Sequence, residues 1–265
     1  MKKGFLILLL LTGCASFEMP TTFERKQIES GGFIISAWEK VTNPKNVYHV
    51  YIEGDGNAFN AHGQATNDPT PKSFLMRRLA AEDSFENVIY LARPCQYTKG
   101  SQCTQKYWTT ARFSPEVVEA EYHAIKDLAN NAPVILIGYS GGAQIAGLMS
   151  VTKDLNIQKV ITIAGNLDHK AWTEYHHLPP LSQSLNLADY KEKFSKVPQI
   201  HYVGKKDKVI PPILTEDFVS NPDLIRIIPN ATHSNIKAFG NEAEDLNLSF
   251  EFEKNMAELK ENKKI

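Results

Sequence analysis

An uninterrupted aliphatic run, Val134-Ile135-Leu136-Ile137, stops at Gly138-Tyr139-Ser140-Gly141-Gly142 and passes at once into a stretch rich in small residues that continues to Ser150. A run with no alternating polar residue predicts a strand buried on both faces. Such a strand belongs to a parallel sheet covered by helices above and below. The stretch from Gly141 to Ser150 predicts a helix of small side chains. Glycines on both sides of Ser140 let strand and helix approach closely and let the serine take a strained backbone conformation.

The rest of the chain repeats this alternation. Phe23–Glu29 and Phe33–Val41 flank Ser30-Gly31-Gly32 and predict a hairpin. Val47–Ile52 predicts a buried strand that ends at Gly54-Asp55-Gly56. Further strands are expected at Val88–Leu91, Val160–Ile163, Ile200–Val203 and Leu224–Ile228. Thr70-Pro71 predicts a capped helix start running to Ala81, and Ser114-Pro115 another running to Ala129. A last helix is expected from Asp245 to Lys260. A hairpin followed by strand–helix units implies one α/β domain. The connection from Gly165 to Val197 is too long for a simple link and is expected to cover the top of the sheet as a short cap.

The amino terminus is read separately. Lys2 and Lys3 precede an apolar run from Phe5 to Leu11, far shorter than the ~20 residues of a spanning helix. That pattern describes a secretory signal. Leu11-Thr12-Gly13-Cys14 resembles a bacterial lipobox, which implies cleavage before Cys14 and attachment of lipid to its sulfur. The alternative is an ordinary signal peptide that contains a cysteine. The expected organisation is a signal peptide over 1–13, a tether over 14–22 and a domain over 23–265, with the cap-like insertion over 165–197. Anchoring would be to a cell-envelope membrane. Ala15, where an aspartate would direct retention at the inner membrane, favours the outer membrane facing the periplasm if the source is Gram-negative.

Three cysteines is an odd number for an exported chain. Lipidation of Cys14 accounts for one. Cys95 and Cys103 then pair as a disulfide in an oxidising compartment, since no histidines at ligand spacing suggest zinc. With 29 basic and 30 acidic residues, the chain lacks the basic excess that binding through nucleic-acid phosphates needs. No glycine-rich phosphate loop occurs, and the adjacent His176-His177 does not make a metal motif, so no metal and no cofactor are expected.

Gly138–Gly142 fits Gly-x-Ser-x-Gly in the strand–turn–helix setting of a nucleophile elbow. Asp207 lies in Gly204-Lys205-Lys206-Asp207-Lys208-Val209-Ile210-Pro211 after one strand, and His233 in Asn230-Ala231-Thr232-His233-Ser234 after the last. In these motifs and their order, residues 23–265 resemble the α/β-hydrolase family. The resemblance implies an α/β-hydrolase fold, a mostly parallel eight-stranded sheet with helices on both faces. It implies Ser140 as nucleophile, His233 as general base and Asp207 as the acid orienting it, with Asp168 and Asp189 as weaker competitors. Backbone N–H groups of Gly141 and Asp55 would form the oxyanion hole. Here the sequence departs from the family: Glu53-Gly54-Asp55-Gly56 stands where many relatives carry His-Gly. Arg93 should border the site, as a substrate contact or as half of a buried ion pair. His169, His176 and His177 fall in the cap segment, and His201, in mid-strand, is read as a packed core residue.

The function implied is a secreted, lipid-anchored serine hydrolase acting on a small-molecule ester or related acyl bond, with esterase as first choice. A peptidase or thioesterase would use the same triad. A different class of reading is a non-catalytic envelope lipoprotein that binds through the hydrolase scaffold.

Overall fold

A computed structural model describes residues 17–236 of the chain. Cys14 and the helix expected over 245–260 lie outside them.

The Gly31-Gly32 turn, with both residues at positive φ, folds β1 (Glu24–Ser30) back on β2 (Phe33–Val41) as the expected antiparallel hairpin. The parallel sheet continues through β3 (Tyr48–Ile52), β4 (Asn87–Leu91), β5 (Val134–Tyr139), β6 (Ile157–Ile163), β7 (Gln199–Gly204) and β8 (Ile225–Ile228). Eight strands lie in the order β1-β2-β4-β3-β5-β6-β7-β8, and every pairing beyond β2 with β4 is parallel.

The side-chain alternation of β5 divides the interior between the two faces of the sheet. Val134 and Leu136 join one apolar cluster with Val117 and Val118 of α2 (Pro115–Ala129) and Ile145 and Leu148 of α3 (Gly141–Thr152). Ile135 and Ile137 face the other cluster, with Met76 and Ala80 of α1 (Leu75–Glu82) and Tyr202 of β7. A strand with both faces buried has no room for polar residues, which is why the β5 run is unbroken.

The α2 start agrees with its sequence signal: Ser114 is the N-cap, its side chain accepts from Val117 N, and Pro115 follows. The α1 start does not. The helix begins at Leu75, and Thr70 Oγ1 instead accepts the Tyr97 N–H at 2.8 Å. Tertiary contact takes the hydroxyl that a local reading assigns to a cap.

Residues 165–197 contain α4 (His169–Tyr175), a single 3-10 turn (Leu187–Tyr190) and α5 (Lys191–Phe194). The second half of the segment packs into the core, where Leu187 and Phe194 are buried against α3. The first half leans on the loop after β7: Trp172 Nε1 and His176 Nε2 both donate to the Val209 carbonyl, at 2.8 and 2.9 Å. That loop leads into α6 (Pro212–Phe218).

Candidate active site

Ser140 joins β5 to α3 at φ 50° and ψ −118°, a left-handed conformation costly for a residue with a Cβ. The turn is held open to this conformation by close backbone approach on either side. A Cβ on Gly138 would fall 2.5 Å from the Gly142 carbonyl oxygen, and one on Gly142 would fall 2.4 Å from that of Ile52. Only glycine fits either position. The Ser140 N–H donates to the Ile163 carbonyl at 3.0 Å, and its own carbonyl accepts from Asn166 at 3.0 Å. The elbow is thereby tied to the neighbouring strand β6 and the loop that leaves it.

Two other loops at the same sheet edge meet the serine. His233 Nε2 lies 3.1 Å from Ser140 Oγ, and His233 Nδ1 lies 2.8 Å from Asp207 Oδ2. Asp207 is buried, and its other oxygen, Oδ1, accepts from Val209 N and Ile210 N at 2.8 and 2.9 Å. Those two bonds fix the carboxylate, leaving Oδ2 to the imidazole. The histidine loop is held by Tyr139, whose hydroxyl donates to the His233 carbonyl at 3.0 Å. With a proton on Nδ1 shared toward Asp207, the lone pair of Nε2 faces the serine hydroxyl. This arrangement can withdraw the hydroxyl proton as the oxygen attacks an electrophile.

Ser140, His233 and Asp207 therefore come together as a hydrogen-bonded chain. The competing acids lie elsewhere in bonding terms: Asp168 caps α4 through Lys170 N and Ala171 N, and Asp189 pairs with Lys170 at 2.8 Å. His201 is buried in β7, bonded to Thr162 Oγ1 and Gln199 Oε1, and burial lowers its pKa to about 4. His169 is buried on α4, and burial lowers its pKa too.

The Glu53–Gly56 loop abuts Ser140: a Cβ on Gly54 would fall 3.2 Å from Ser140 Cβ. Its path is set by side chains that a motif search does not find. Glu53 is buried, accepting from its neighbour Gly54 N and from the Tyr90 hydroxyl, both at 2.8 Å. Burial pushes its pKa up to about 7, against the pull of those two donors and of Arg77 and Arg93. Gln96 Nε2 donates to the Gly54 carbonyl at 3.0 Å while its Oε1 accepts from Arg93 N at 3.1 Å. Gln96 sits beside Cys95, which forms a disulfide with Cys103, the Cα atoms 5.5 Å apart.

The Asp55 side chain is bound by two arginines, Arg112 Nη1 at 2.7 Å and Arg93 Nη1 at 3.4 Å. Arg93 is buried and also pairs through Nε with Glu121 at 2.6 Å, and it donates to the Arg112 carbonyl. Of the two readings of Arg93, the ion pair is the one observed. Burial raises Glu121 to about 7 even with Arg93 beside it. One signal in the sequence marks Glu121: it is an acid within the apolar stripe of Val117, Val118, Ala124 and Ile125 on α2. Arg112 and Glu53 carry no such mark.

Among the described residues, no group of three His, Cys, Asp or Glu could hold a metal ion, and no helix is long and apolar enough to cross a membrane.

Comparison with protein-family models finds no match, and none is found among curated proteins. The fold has many likenesses among solved structures. An esterase from Pyrococcus furiosus is 16% identical, with a TM-score of 0.58 over 89% of this chain and 94% of that one. An alpha/beta hydrolase enzyme from the metagenome of lagoon sediments at Mar Chica, Morocco, is 18% identical, with a TM-score of 0.51 over 88% and 99%. The thioesterase domain from the curacin biosynthetic pathway is 12% identical, with a TM-score of 0.53 over 80% and 94%. The eight-stranded sheet and these likenesses establish that the chain has the α/β-hydrolase fold.

Proposed function

We propose that this chain is a serine hydrolase that cleaves a carboxylic ester or related acyl bond through an acyl-enzyme on Ser140. One observation carries the reading: the unbroken sequence of contacts from Ser140 Oγ to His233 Nε2 and from His233 Nδ1 to Asp207 Oδ2, on a serine at positive φ. His233 takes the serine proton as Oγ adds to the acyl carbonyl, and returns it to the leaving group as the acyl–oxygen bond breaks. Asp207 stabilises the imidazolium between the two transfers. The N–H groups of Gly141 and Asp55 take the oxyanion of each tetrahedral intermediate. Water then repeats the sequence to release the acid. None of these steps calls for a cofactor.

The chain is further read as exported and anchored through lipid on Cys14, with the catalytic domain at the surface of an envelope membrane. Support for this lies in the sequence alone. Two or more acyl chains would give firm attachment.

The test of the hydrolase reading is labelling by a fluorophosphonate probe. Wild type should label and Ser140→Ala should not. An unlabelled wild type, or equal labelling of the two, would leave only a binding role for the scaffold. Mass spectrometry of the mature amino terminus tests the anchor, which fails if the chain starts at an unmodified residue other than Cys14.

A further inference from the structure

The Glu53-Gly54-Asp55-Gly56 loop puts a carboxylate where the proposed chemistry least tolerates one. A Cβ added to Gly141 would fall 2.1 Å from Asp55 Oδ1 and 3.0 Å from Oδ2, so the carboxylate lies against Gly141, whose N–H is assigned to the oxyanion in the proposed reaction. A bare negative charge there opposes the negative charge that develops on the carbonyl oxygen during attack. The structure supplies countercharges, but they are unequal. Arg93 lies 3.4 Å from Oδ1 and is shared with the buried Glu121, 2.6 Å from its Nε. Arg112 lies 2.7 Å from Oδ2, and no other carboxylate is paired with it among the described residues. Its Nε is fixed by the Thr109 carbonyl at 2.8 Å, and its guanidinium lies 5.4 Å from the centre of the Phe59 ring. Arg112 is thus buried and held in place by the Thr109 carbonyl, with Asp55 as its paired carboxylate among the described residues.

We propose that Arg112 is a positioning residue for acyl transfer. It acts through Asp55, neutralising that carboxylate and pinning it beside Gly141 so that the oxyanion hole keeps its two backbone donors and loses no stabilisation to a neighbouring anion. The proposal rests on the serine-hydrolase reading and adds to it a residue that never touches substrate. It also accounts for an acid in the oxyanion loop: its charge fastens the loop to two arginines, and the arginines cancel its electrostatic cost.

The experiment is a double-mutant cycle on p-nitrophenyl butyrate turnover, with Arg112→Ala, Asp55→Asn and the pair. Arg112→Ala should lower kcat about 10- to 100-fold with KM within about threefold, because the lost interaction acts on the transition state. Removing the stranded charge should reverse this, so the double variant should exceed Arg112→Ala at least about tenfold in kcat. A merely structural arginine predicts no such recovery. A folded Arg112→Ala with unchanged kcat, or a double variant no better than Arg112→Ala, overturns the proposal. If Arg112→Ala does not fold, as judged by circular dichroism, Arg112→Gln is read by the same criteria. Fluorophosphonate labelling keeps the two layers apart. A labelled Ser140 with an indifferent Arg112 overturns only the role of Arg112. A wild type that neither labels nor turns over ester overturns both.

Discussion

Asp207 divides its two oxygens between different tasks. Oδ1 is fixed by two backbone N–H groups of its own loop and Oδ2 by the imidazole. An amide at this position can keep the backbone bonds through its oxygen but then donates an N–H to His233 Nδ1, which forces the imidazole proton onto Nε2, the wrong tautomer for a base. Asp207→Asn should therefore fold normally and lose roughly 10⁴-fold in kcat, measured with a p-nitrophenyl ester. The glycine after the elbow poses a different kind of demand. A Cβ at Gly142 would meet two backbone oxygens, those of Ile52 and Glu53, at 2.4 and 2.5 Å, and backbone cannot rotate away. Gly142→Ala should cost about 2–3 kcal/mol in chemical denaturation, by overpacking, and should displace the Glu53–Gly56 loop along with it.

At the scale of elements, the site depends on loops that brace one another. The stretch after β4 is strained, with Cys95 at φ 71° and Tyr97 at φ 61°. It is kept in that shape by the Cys95–Cys103 disulfide and by the Thr70 hydroxyl on Tyr97 N. In return it presents Gln96 to the Gly54 carbonyl of the Glu53–Gly56 loop. Replacing both cysteines by serine frees this loop in the unfolded chain and should cost roughly 2–3 kcal/mol, given its short span. Because Gln96 is next to Cys95, kcat should fall in the same variant under conditions where it remains folded. Retention of full kcat by the folded double variant would show that Gln96 holds its place without the bridge. The other brace is α4 and its C-cap: Trp172 and His176 both donate to the carbonyl of Val209, two residues beyond Asp207.

The whole molecule carries buried acids whose protonation couples the fold to pH. Glu53 has its pKa raised by burial to about 7 from an ordinary value near 4.5. In that window the folded chain holds a proton that the unfolded chain has released, so stability falls as pH rises from 4.5 to 7. Glu121 contributes with the same sign. His201, lowered by burial to about 4, acts in the opposite sense, and its contribution is lost as pH falls from 6.5 to 4. Glu53→Gln removes one acid from this balance. Its melting temperature should gain on wild type between pH 5 and pH 8, by the equivalent of up to about 3 kcal/mol. A difference that stays constant across that range would mean that Glu53 is not protonated in the fold at low pH.

The strands and their glycine-bounded turns were readable because they obey local rules. The Val134–Ile137 run of β5 is aliphatic since both of its faces are covered, and Ser114-Pro115 caps α2 because a helix start needs an acceptor and tolerates a missing N–H. Thr70 carries the same local signal and does not cap α1, because its hydroxyl is taken by Tyr97, 27 residues away. The positions of Ser140, Asp207 and His233 after β5, β7 and β8 were likewise legible, since strand ends in a parallel sheet converge on one edge. Local pattern was thus enough for the layered α/β architecture and the order of the strand–helix units, while Ser140, Asp207 and His233 were picked out by their places after strands together with the family resemblance. What surrounds them came from the folded chain: Arg112 on Asp55, Arg93 divided between Asp55 and Glu121, and Glu53 on Tyr90. Periodicity and turn chemistry are fixed by neighbours in the chain. The charge balance of a buried site depends on partners tens of residues apart, and only the folded chain brings those together.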